Sequence, residues 1–461
     1  MKKLRIKKES IQDSVLVLIG GIILCFMGFY NTFPYVYNDC GTYIGSGFDL
    51  KVPIDRPIFY GLFIRHVSLL TSLWLVILVQ GLMVSLILFY YFKYLSGTSR
   101  FRIYYIAFIE LITFFTSASF HVSQLIPDIF TPVSILSLGL LLLVRDMKTR
   151  DVVITSIILI ISVAVHNSHF LIITILLFLF TVLYFIQRFR KKLYHLFISG
   201  KRIVCTWIVV MFTFLMVCTV HSCLGGGFAL SRAGPVFLIA RLHDMGILEP
   251  YLKENCGKYH YRICEYKDKL PWDLLWDYDS SPLYKLGGWD SPQIQEEFKA
   301  IIKDIMTSPR YGHLYIIRAV ESAFTQFFCF STGDSPPQRQ GSPSYIAISV
   351  HFPASLKAFM CSHQWTQTLN FTFINEFQKY ITGICLIFYL TCFLYPLKFK
   401  RFNRVILFIL AGMFINAFIC GAFSTVLERY QSRVIWLMPL PLFLIMANKE
   451  LFLDKLRKMF S

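Results

Sequence analysis

The chain has 461 residues, of which 56% are hydrophobic, 17% are aromatic and only 16% are charged, and its mean hydropathy is +0.57. This composition excludes an ordinary soluble domain and predicts an integral membrane protein. The formal net charge of +18 would suit a nucleic-acid partner if it covered one soluble face, but more than half of the lysines and arginines lie in short patches between apolar runs. We therefore expect membrane lipid, and no nucleic acid, among the partners.

The basic patches indicate which side of the membrane each loop occupies. Cytoplasmic loops of membrane proteins are enriched in lysine and arginine, whereas the short segments 121–128 and 165–169 carry neither residue. We therefore place the basic patches in the cytoplasm. They are residues 1–12, 93–102, 145–151, 188–202, 398–404 and 448–461.

Apolar runs in chain order predict about ten transmembrane helices. The first run follows a basic N-terminus but lacks a small-residue cleavage site, so we interpret it as an uncleaved span. Several runs are shorter than the roughly 20 residues of a perpendicular helix, which indicates tilted or partly re-entrant helices. An even number places both termini in the cytoplasm, and we expect a bacterial inner membrane. The runs are 14–30, 66–92, 103–120, 129–144, 152–165, 170–186, 203–221, 380–396, 405–425 and 434–447.

One long insertion divides the spans into two modules. Residues 1–221 form the N-terminal module, 222–379 an extracytoplasmic and mainly helical insertion, and 380–461 the C-terminal module. Within the insertion, 291–306 has apolar residues at helical spacing after a serine cap and a first-turn proline, which predicts an amphipathic helix. Cys256 and Cys264 could close a small disulfide loop or remain two thiols.

The segment 36–65 is a polar, glycine-bearing interruption between the first two spans. It holds Asp39, Asp55 and Arg56 close to the bilayer, where a charge is expensive unless it has a function or a partner. Asp39 could accept a proton from an attacking hydroxyl or hold a divalent cation, or it could cap a helix. The planar guanidinium of Arg56 could bind a phosphate through two parallel hydrogen bonds, or the side chain could extend to the membrane–water interface. Asp55 could serve only as its ion-pair partner.

Other ionisable groups are predicted to lie at the outer ends of the spans, so that one extracytoplasmic pocket would gather distant parts of the chain. The arginines at 429 and 433 are four apart and could clamp a pyrophosphate together, while Glu428 could neutralise one of them. The histidines could contact a metal ion or a phosphate, or act as ordinary hydrogen-bonding groups. Tyr43 and Tyr60 could stack on a sugar or belong to an interfacial aromatic belt. The remaining candidates are His121, Asp128, His166, His169, His221, Arg429 and Arg433.

Two short motifs carry a family resemblance. Asp39 and Tyr43 form D-x-x-x-Y, and Arg56, Pro57 and Tyr60 form R-P-x-x-Y at the start of the second span. Together with a basic N-terminus and one preceding span, these motifs resemble the GT-C superfamily of polytopic glycosyltransferases, which includes protein O-mannosyltransferases and lipid A aminoarabinose transferases. The likeness covers about the first 130 residues, and RYQSR near the end is similar to late basic motifs of some bacterial members.

The resemblance implies transfer of a sugar from a polyprenyl-phosphate donor on the outer face, with Asp39 as the catalytic carboxylate and Arg56 as a donor-phosphate contact. The acidic pair that is usual in the first loop is represented by Asn38 and Asp39, and a divalent metal cation is the one candidate cofactor. A transporter or flippase of lipid-linked saccharides could use the same cations without breaking a bond. A polysaccharide polymerase or an O-acyltransferase is a further alternative. One asymmetric insertion without an internal repeat favours an enzyme over a transporter.

Overall fold

The computed structural model describes residues 2–189, 199–334 and 337–448. Across these ranges the protein is all-α and contains no β-strand, as the composition and the apolar runs predict. The α-helices are α1 (Lys2–Leu24), α2 (Phe26–Asn31), α3 (Asp39–Asp49), α4 (Phe59–Val67), α5 (Trp74–Leu95), α6 (Phe101–Phe115), α7 (Ala118–Val122), α8 (Phe130–Leu143), α9 (Thr149–Ala164), α10 (Asn167–Phe189), α11 (Gly200–Cys223), α12 (Gly234–Asp244), α13 (Leu248–Asn255), α14 (Pro282–Lys285), α15 (Pro292–Thr307), α16 (Pro309–Phe328), α17 (Pro343–His351), α18 (Leu356–Met360), α19 (Thr372–Leu394), α20 (Pro396–Phe423), α21 (Arg429–Ile435) and α22 (Pro439–Met446).

Five of the described helices are long and apolar enough to cross a membrane, which by length and composition is typical of an α-helical membrane protein. Two further apolar helices, Ser10–Leu24 and Pro127–Leu143, are shorter. The five long segments are Trp74–Leu95, Asn167–Arg188, Gly200–Cys223, Thr372–Leu394 and Phe402–Phe423.

At least four of the predicted spans are interrupted: the run 14–30 at Cys25, the run 66–92 between α4 and α5, and two further runs. The run 103–120 breaks after α6 because Thr116 adopts an extended backbone, with φ −140° and ψ 175°. The run 434–447 contains α22, whose eight residues extend only about 12 Å at 1.5 Å per residue. The Ser117 hydroxyl donates a hydrogen bond to the Ser432 carbonyl at 2.6 Å, so the irregular backbone beside these last two breaks is buried and satisfied.

Close backbone contacts fix the segment 36–65. A Cβ on Gly47 in α3 would lie 2.1 Å from the carbonyl oxygen of Gly61 in α4. Only a glycine, which has no Cβ, fits at this position. The close approach of the two backbones holds α3 against α4. The Arg65 guanidinium adds hydrogen bonds to the carbonyls of Gly47 and Phe48, at 3.2 and 3.0 Å. The loop between the two helices, which carries Asp55 and Arg56, is therefore anchored on both sides.

A second hydrophobic core is formed by residues within 236–319 together with Ala422, and it includes buried side chains of α12, α13 and α15, among them Ile239 and Phe298. The amphipathic helix predicted at 291–306 is α15, whose Ser291 hydroxyl accepts from the backbone N–H of Ile294 at 3.4 Å. Cys256 and Cys264 form a disulfide, with their Cα atoms 5.7 Å apart.

This second core is attached both to the long helices and to the site segment. The Arg241 guanidinium donates to the Gly421 carbonyl at the end of α20, at 2.8 Å, and to the Ser322 hydroxyl at 2.7 Å. The backbone N–H groups of Arg232 and Ala233 donate to the Ile54 carbonyl at 2.8 and 3.1 Å. The second core therefore directly contacts the loop that carries Asp55 and Arg56.

Candidate functional site

Asp39 stands at the first position of α3 and faces the loop before α4. Its Oδ1 lies 3.1 Å from Nη2 of Arg56, whose Nε donates to Asp55 Oδ2 at 2.8 Å. The Arg56 guanidinium also lies 4.8 Å from the centre of the Tyr43 ring, within the range of a cation–π contact. Only 9% of Arg56 is exposed. The two acids and one arginine of the first loop thus form one connected cluster.

Arg429 adds a second cation from the far end of the chain. Its Nη2 lies 3.3 Å from Asp39 Oδ2, so the two oxygens of this carboxylate are each paired with a different arginine. The Arg429 guanidinium lies 4.2 Å from the centre of the Tyr37 ring, and its backbone N–H donates to Asp334 Oδ2 at 3.2 Å. Asp39 therefore bridges the N-terminal and C-terminal parts of the site.

Arg433 forms a neighbouring and more deeply buried ion pair. Its Nη1 donates to Asp128 Oδ1 at 2.7 Å, and the side chains of the pair are only 1% and 6% exposed. Its Nη2 donates to Asn416 Oδ1 at 2.9 Å. A buried arginine held by a carboxylate and an amide is fixed in position.

Each of the three arginines has at least one guanidinium N–H group without a hydrogen-bond partner among the described residues. Nη1 of Arg56, Nε and Nη1 of Arg429, and Nε of Arg433 are buried and have no hydrogen-bond partner in the described part of the chain. A buried guanidinium N–H without an acceptor is costly, because the group has lost its water. Planar guanidinium donors suit the oxygens of phosphate or carboxylate. The arrangement can therefore bind an anionic group beside Asp39.

The arginines also control the charge of the neighbouring acids. Burial alone would raise the pKa of Asp39, but the positive charges and hydrogen bonds of Arg56 and Arg429 hold that pKa below its ordinary value. For Asp334, burial outweighs the attraction of Arg429 and raises the pKa. The two arginines thus hold Asp39 as a carboxylate.

The histidines that the sequence singles out are engaged in hydrogen bonds. His121 bonds the Ser432 hydroxyl at 3.0 Å and the Gln124 side chain at 3.1 Å. His169 contacts the Thr131 hydroxyl and the Ser162 carbonyl, both at 2.7 Å.

Two other histidines complete this set. His166 lies beside His169, with ring centroids 5.2 Å apart, and bonds the Ser168 hydroxyl at 2.9 Å. His221 accepts from the backbone of Ile58 at 3.2 Å. Across the described ranges no three histidine, cysteine or acidic side chains come close enough to hold a metal ion. These side chains therefore fit hydrogen-bonding roles rather than a set of metal ligands.

The two tyrosines of the family-like motifs are buried. Tyr43 and Tyr60 are 2% and 0% exposed and meet edge to face, with ring centroids 5.0 Å apart. The Tyr60 hydroxyl donates to Gln80 Oε1 at 2.8 Å. Tyr43 thus packs between Arg56 and Tyr60, and neither ring presents an open surface for stacking. Glu428 accepts a hydrogen bond from the backbone N–H of Ser331, and no ion pair with an arginine is found for it among the described residues.

Sequence reasoning missed several side chains that complete the site. Tyr37 lies two residues before Asp39, and Asp334 lies in a loop that is recognisable only as polar. Asn416 is an isolated polar residue within the apolar helix α20, a pattern that often marks a buried contact in membrane proteins. Ser432 lies between two candidate arginines, and its hydroxyl contacts both His121 and Thr332. Of these, the position of Asn416 was the clearest available signal.

The chain was compared with protein-family models, with curated proteins and with solved structures, and none of the three comparisons finds a match.

Proposed function

We propose that this protein is a membrane glycosyltransferase that moves a sugar from a polyprenyl-phosphate donor to a lipid, glycan or protein acceptor on the extracytoplasmic face. The observation that carries the proposal is the position of Asp39 between Arg56 and Arg429, at 3.1 and 3.3 Å, together with the unpartnered guanidinium donors around it. A carboxylate held between two phosphate-binding arginines suits a reaction in which a hydroxyl must lose a proton while a phosphate leaves.

The proposed step assigns one role to each charge. The acceptor hydroxyl oxygen attacks the anomeric carbon of the sugar, its proton passes to Asp39, and the bond between that carbon and the phosphate oxygen breaks. The departing polyprenyl phosphate gains a negative charge, which Arg56 and Arg429 neutralise with Arg433 behind them. When the donor phosphate takes the guanidinium N–H groups, Asp39 loses part of its stabilisation, its pKa rises and it becomes a better base.

The proposal includes a topology of about ten spans with both termini in the cytoplasm. The interrupted helices α6, α7, α21 and α22 then belong to spans that are broken at the level of the site. An ion pair away from the site supports this topology. Arg102 pairs with Asp13 at 2.7 Å, which brings the basic patches 1–12 and 93–102 to the same side of the membrane. The insertion 222–379 then lies outside, where it covers the site and meets the acceptor of a bacterial cell envelope.

The test is mass spectrometry of lipid-linked sugars and envelope glycoconjugates in cells that lack the protein. Loss of a glycoconjugate with accumulation of its donor on the outer leaflet supports the transferase. Complementation with Asp39→Asn should fail, whereas Asp13→Asn should restore the product, because Asp13 is a similarly exposed carboxylate that pairs with an arginine outside the site. Restoration of the product by Asp39→Asn would overturn the assignment.

The same experiment separates the alternatives. A donor trapped on the cytoplasmic leaflet would indicate a flippase of lipid-linked saccharides, which uses the arginines without cleavage. Loss of long polysaccharide chains with accumulation of single repeat units would indicate a polymerase. Loss of acyl groups from an otherwise complete glycan would indicate an O-acyltransferase.

A further inference from the structure

The second core carries a group of exposed aromatic side chains that the site does not use. Trp272 is 97% exposed, Tyr278 64% and Trp276 47%. We call these three rings the aromatic surface. Large exposed rings that occur together, rather than singly, mark a binding surface.

The loop beneath the aromatic surface is held firmly. Leu274 is 3% exposed within the second core, and its carbonyl accepts from the Ser281 hydroxyl at 2.7 Å. Asp273 Oδ1 accepts from the backbone N–H groups of Leu275 and Trp276, both at 2.9 Å. The backbone that carries the rings is therefore held in place before any ligand arrives, which lowers the entropy cost of binding.

A second row of aromatic side chains supports the first. The rings of Trp276 and Trp289 have centroids 5.3 Å apart, and those of Tyr278 and Tyr284 lie 4.8 Å apart. The indole N–H of Trp289 donates to the Tyr284 hydroxyl at 3.1 Å. These contacts join Trp276 and Tyr278 to the half-buried rings behind them, and Trp272 lies four residues before Trp276 on the same loop.

The charge around the aromatic surface limits what it can bind. Residues 268–290 contain five aspartates and two lysines, a local net charge of −3 in a chain of net charge +18. An acidic surface is repelled by anionic lipid headgroups and by nucleic acid. A saccharide offers apolar C–H faces to aromatic rings and hydroxyl donors to carboxylates, so it matches both features. Asp279 is exposed beside Tyr278 and is available for such a bond.

The aromatic surface connects to the site loop through a short series of contacts. Asp290, the residue after Trp289, lies 3.3 Å from the Arg232 guanidinium. The Arg232 backbone N–H donates to the Ile54 carbonyl at 2.8 Å, and Ile54 directly precedes Asp55. The loop that carries the rings is therefore joined to the site loop by two direct contacts.

We propose that the aromatic surface binds a saccharide chain of the acceptor and presents its end to the site. This inference rests on the proposed glycosyl transfer, but binding can be measured without transfer. The probes are oligosaccharides released from the envelope of cells lacking the protein, titrated by calorimetry into the full-length protein in lipid nanodiscs. Trp272→Ala is the main variant, because a side chain that is 97% exposed contributes little to folding. Trp272→Phe is its matched control, since it keeps an aromatic face.

We expect Trp272→Ala to weaken binding at least tenfold and Trp272→Phe to retain most of it. Equal binding by Trp272→Ala and the wild type, or no binding by any form, would overturn the proposal that the aromatic surface binds a saccharide. Neither result would contradict the transfer proposal. If Asp39→Asn remains active while Trp272→Ala loses binding, the transfer mechanism fails and the saccharide site stands. A change in oligomeric state on Trp272→Ala without sugar binding would overturn the proposal in favour of a protein interface.

Discussion

Replacing Asp39 with asparagine is the most informative single change, because it removes the proposed base and keeps the shape of the side chain. A positioned general base contributes about 10²- to 10⁴-fold to a rate, which corresponds to about 2.7–5.4 kcal/mol of activation free energy. We therefore expect Asp39→Asn to lower transfer by at least a hundredfold.

The expected effect on stability is much smaller. Asp39 makes two ion pairs, at 3.1 and 3.3 Å, and its side chain is 23% exposed. The burial of such a pair is intermediate. Exposed pairs contribute about 0–1 kcal/mol to stability, whereas disruption of a fully buried pair costs about 3–5 kcal/mol. The amide oxygen also keeps one arginine contact, so we expect a loss of about 1–2 kcal/mol.

The assay measures product formation in membrane vesicles at equal amounts of inserted protein, with thermal stability measured in the same preparation. Asp13→Asn controls for the loss of an aspartate–arginine pair, since Asp13 and Arg102 lie 2.7 Å apart. Transfer by Asp39→Asn within about threefold of the wild-type rate would refute its role as the base, because the loss would be below about 0.7 kcal/mol.

Three further predictions concern charge, burial and the disulfide. Arg429→Gln should raise the pKa of Asp39, so the fall in activity on acidification should move to higher pH in a pH–rate profile; an unchanged acid limb would contradict the pairing. Asp128→Asn should leave the buried charge of Arg433 unpaired and destabilise the protein by about 3–5 kcal/mol, measured by thermal unfolding, whereas an unchanged melting temperature would contradict burial of the pair. Cys256→Ser should lower the stability of the second core by about 2–3 kcal/mol, measured by proteolysis at increasing urea; unchanged resistance to proteolysis would contradict a stabilising disulfide.

Much of the helical architecture is readable from the sequence. Apolar runs at 152–165, 170–186 and 203–221 correspond to α9, α10 and α11, because long apolar segments can satisfy their backbone only as helices. Ser291 followed by proline marked the start of α15 for an equally direct reason, since the hydroxyl satisfies an N–H that the helix leaves free.

Breaks within apolar runs could not be predicted in the same way. The local amino-acid sequence around Thr116 does not distinguish an interrupted helix from a continuous one, because hydrogen-bond partners elsewhere in the chain stabilise the break. One of them is Gln378, whose Oε1 accepts from the backbone N–H of Ser117 at 2.7 Å. Tertiary hydrogen bonds therefore decide where such helices end.

The candidate site was predictable as a set of residues, but not as a set of pairs. Charges at the ends of spans meet on one face, so the sequence could bring Asp39, Arg56 and Arg429 together. Which acid pairs with which arginine depends on distances of a few tenths of an ångström. Glu428, adjacent in sequence to Arg429, contacts a backbone N–H instead, while Asp39 pairs with Arg429 across 390 positions.

The most direct test of the account is binding of polyprenyl phosphate to the purified protein, measured by native mass spectrometry at several lipid concentrations. The account predicts one bound molecule, and an affinity at least tenfold lower when Arg56 and Arg429 are both replaced by glutamine, because charge-assisted hydrogen bonds contribute about 1.5–3 kcal/mol each. Arg102→Gln, which removes a paired arginine outside the site, should bind as the wild type does. Equal affinity of the double variant and the wild type would contradict the claim that these arginines hold the donor phosphate.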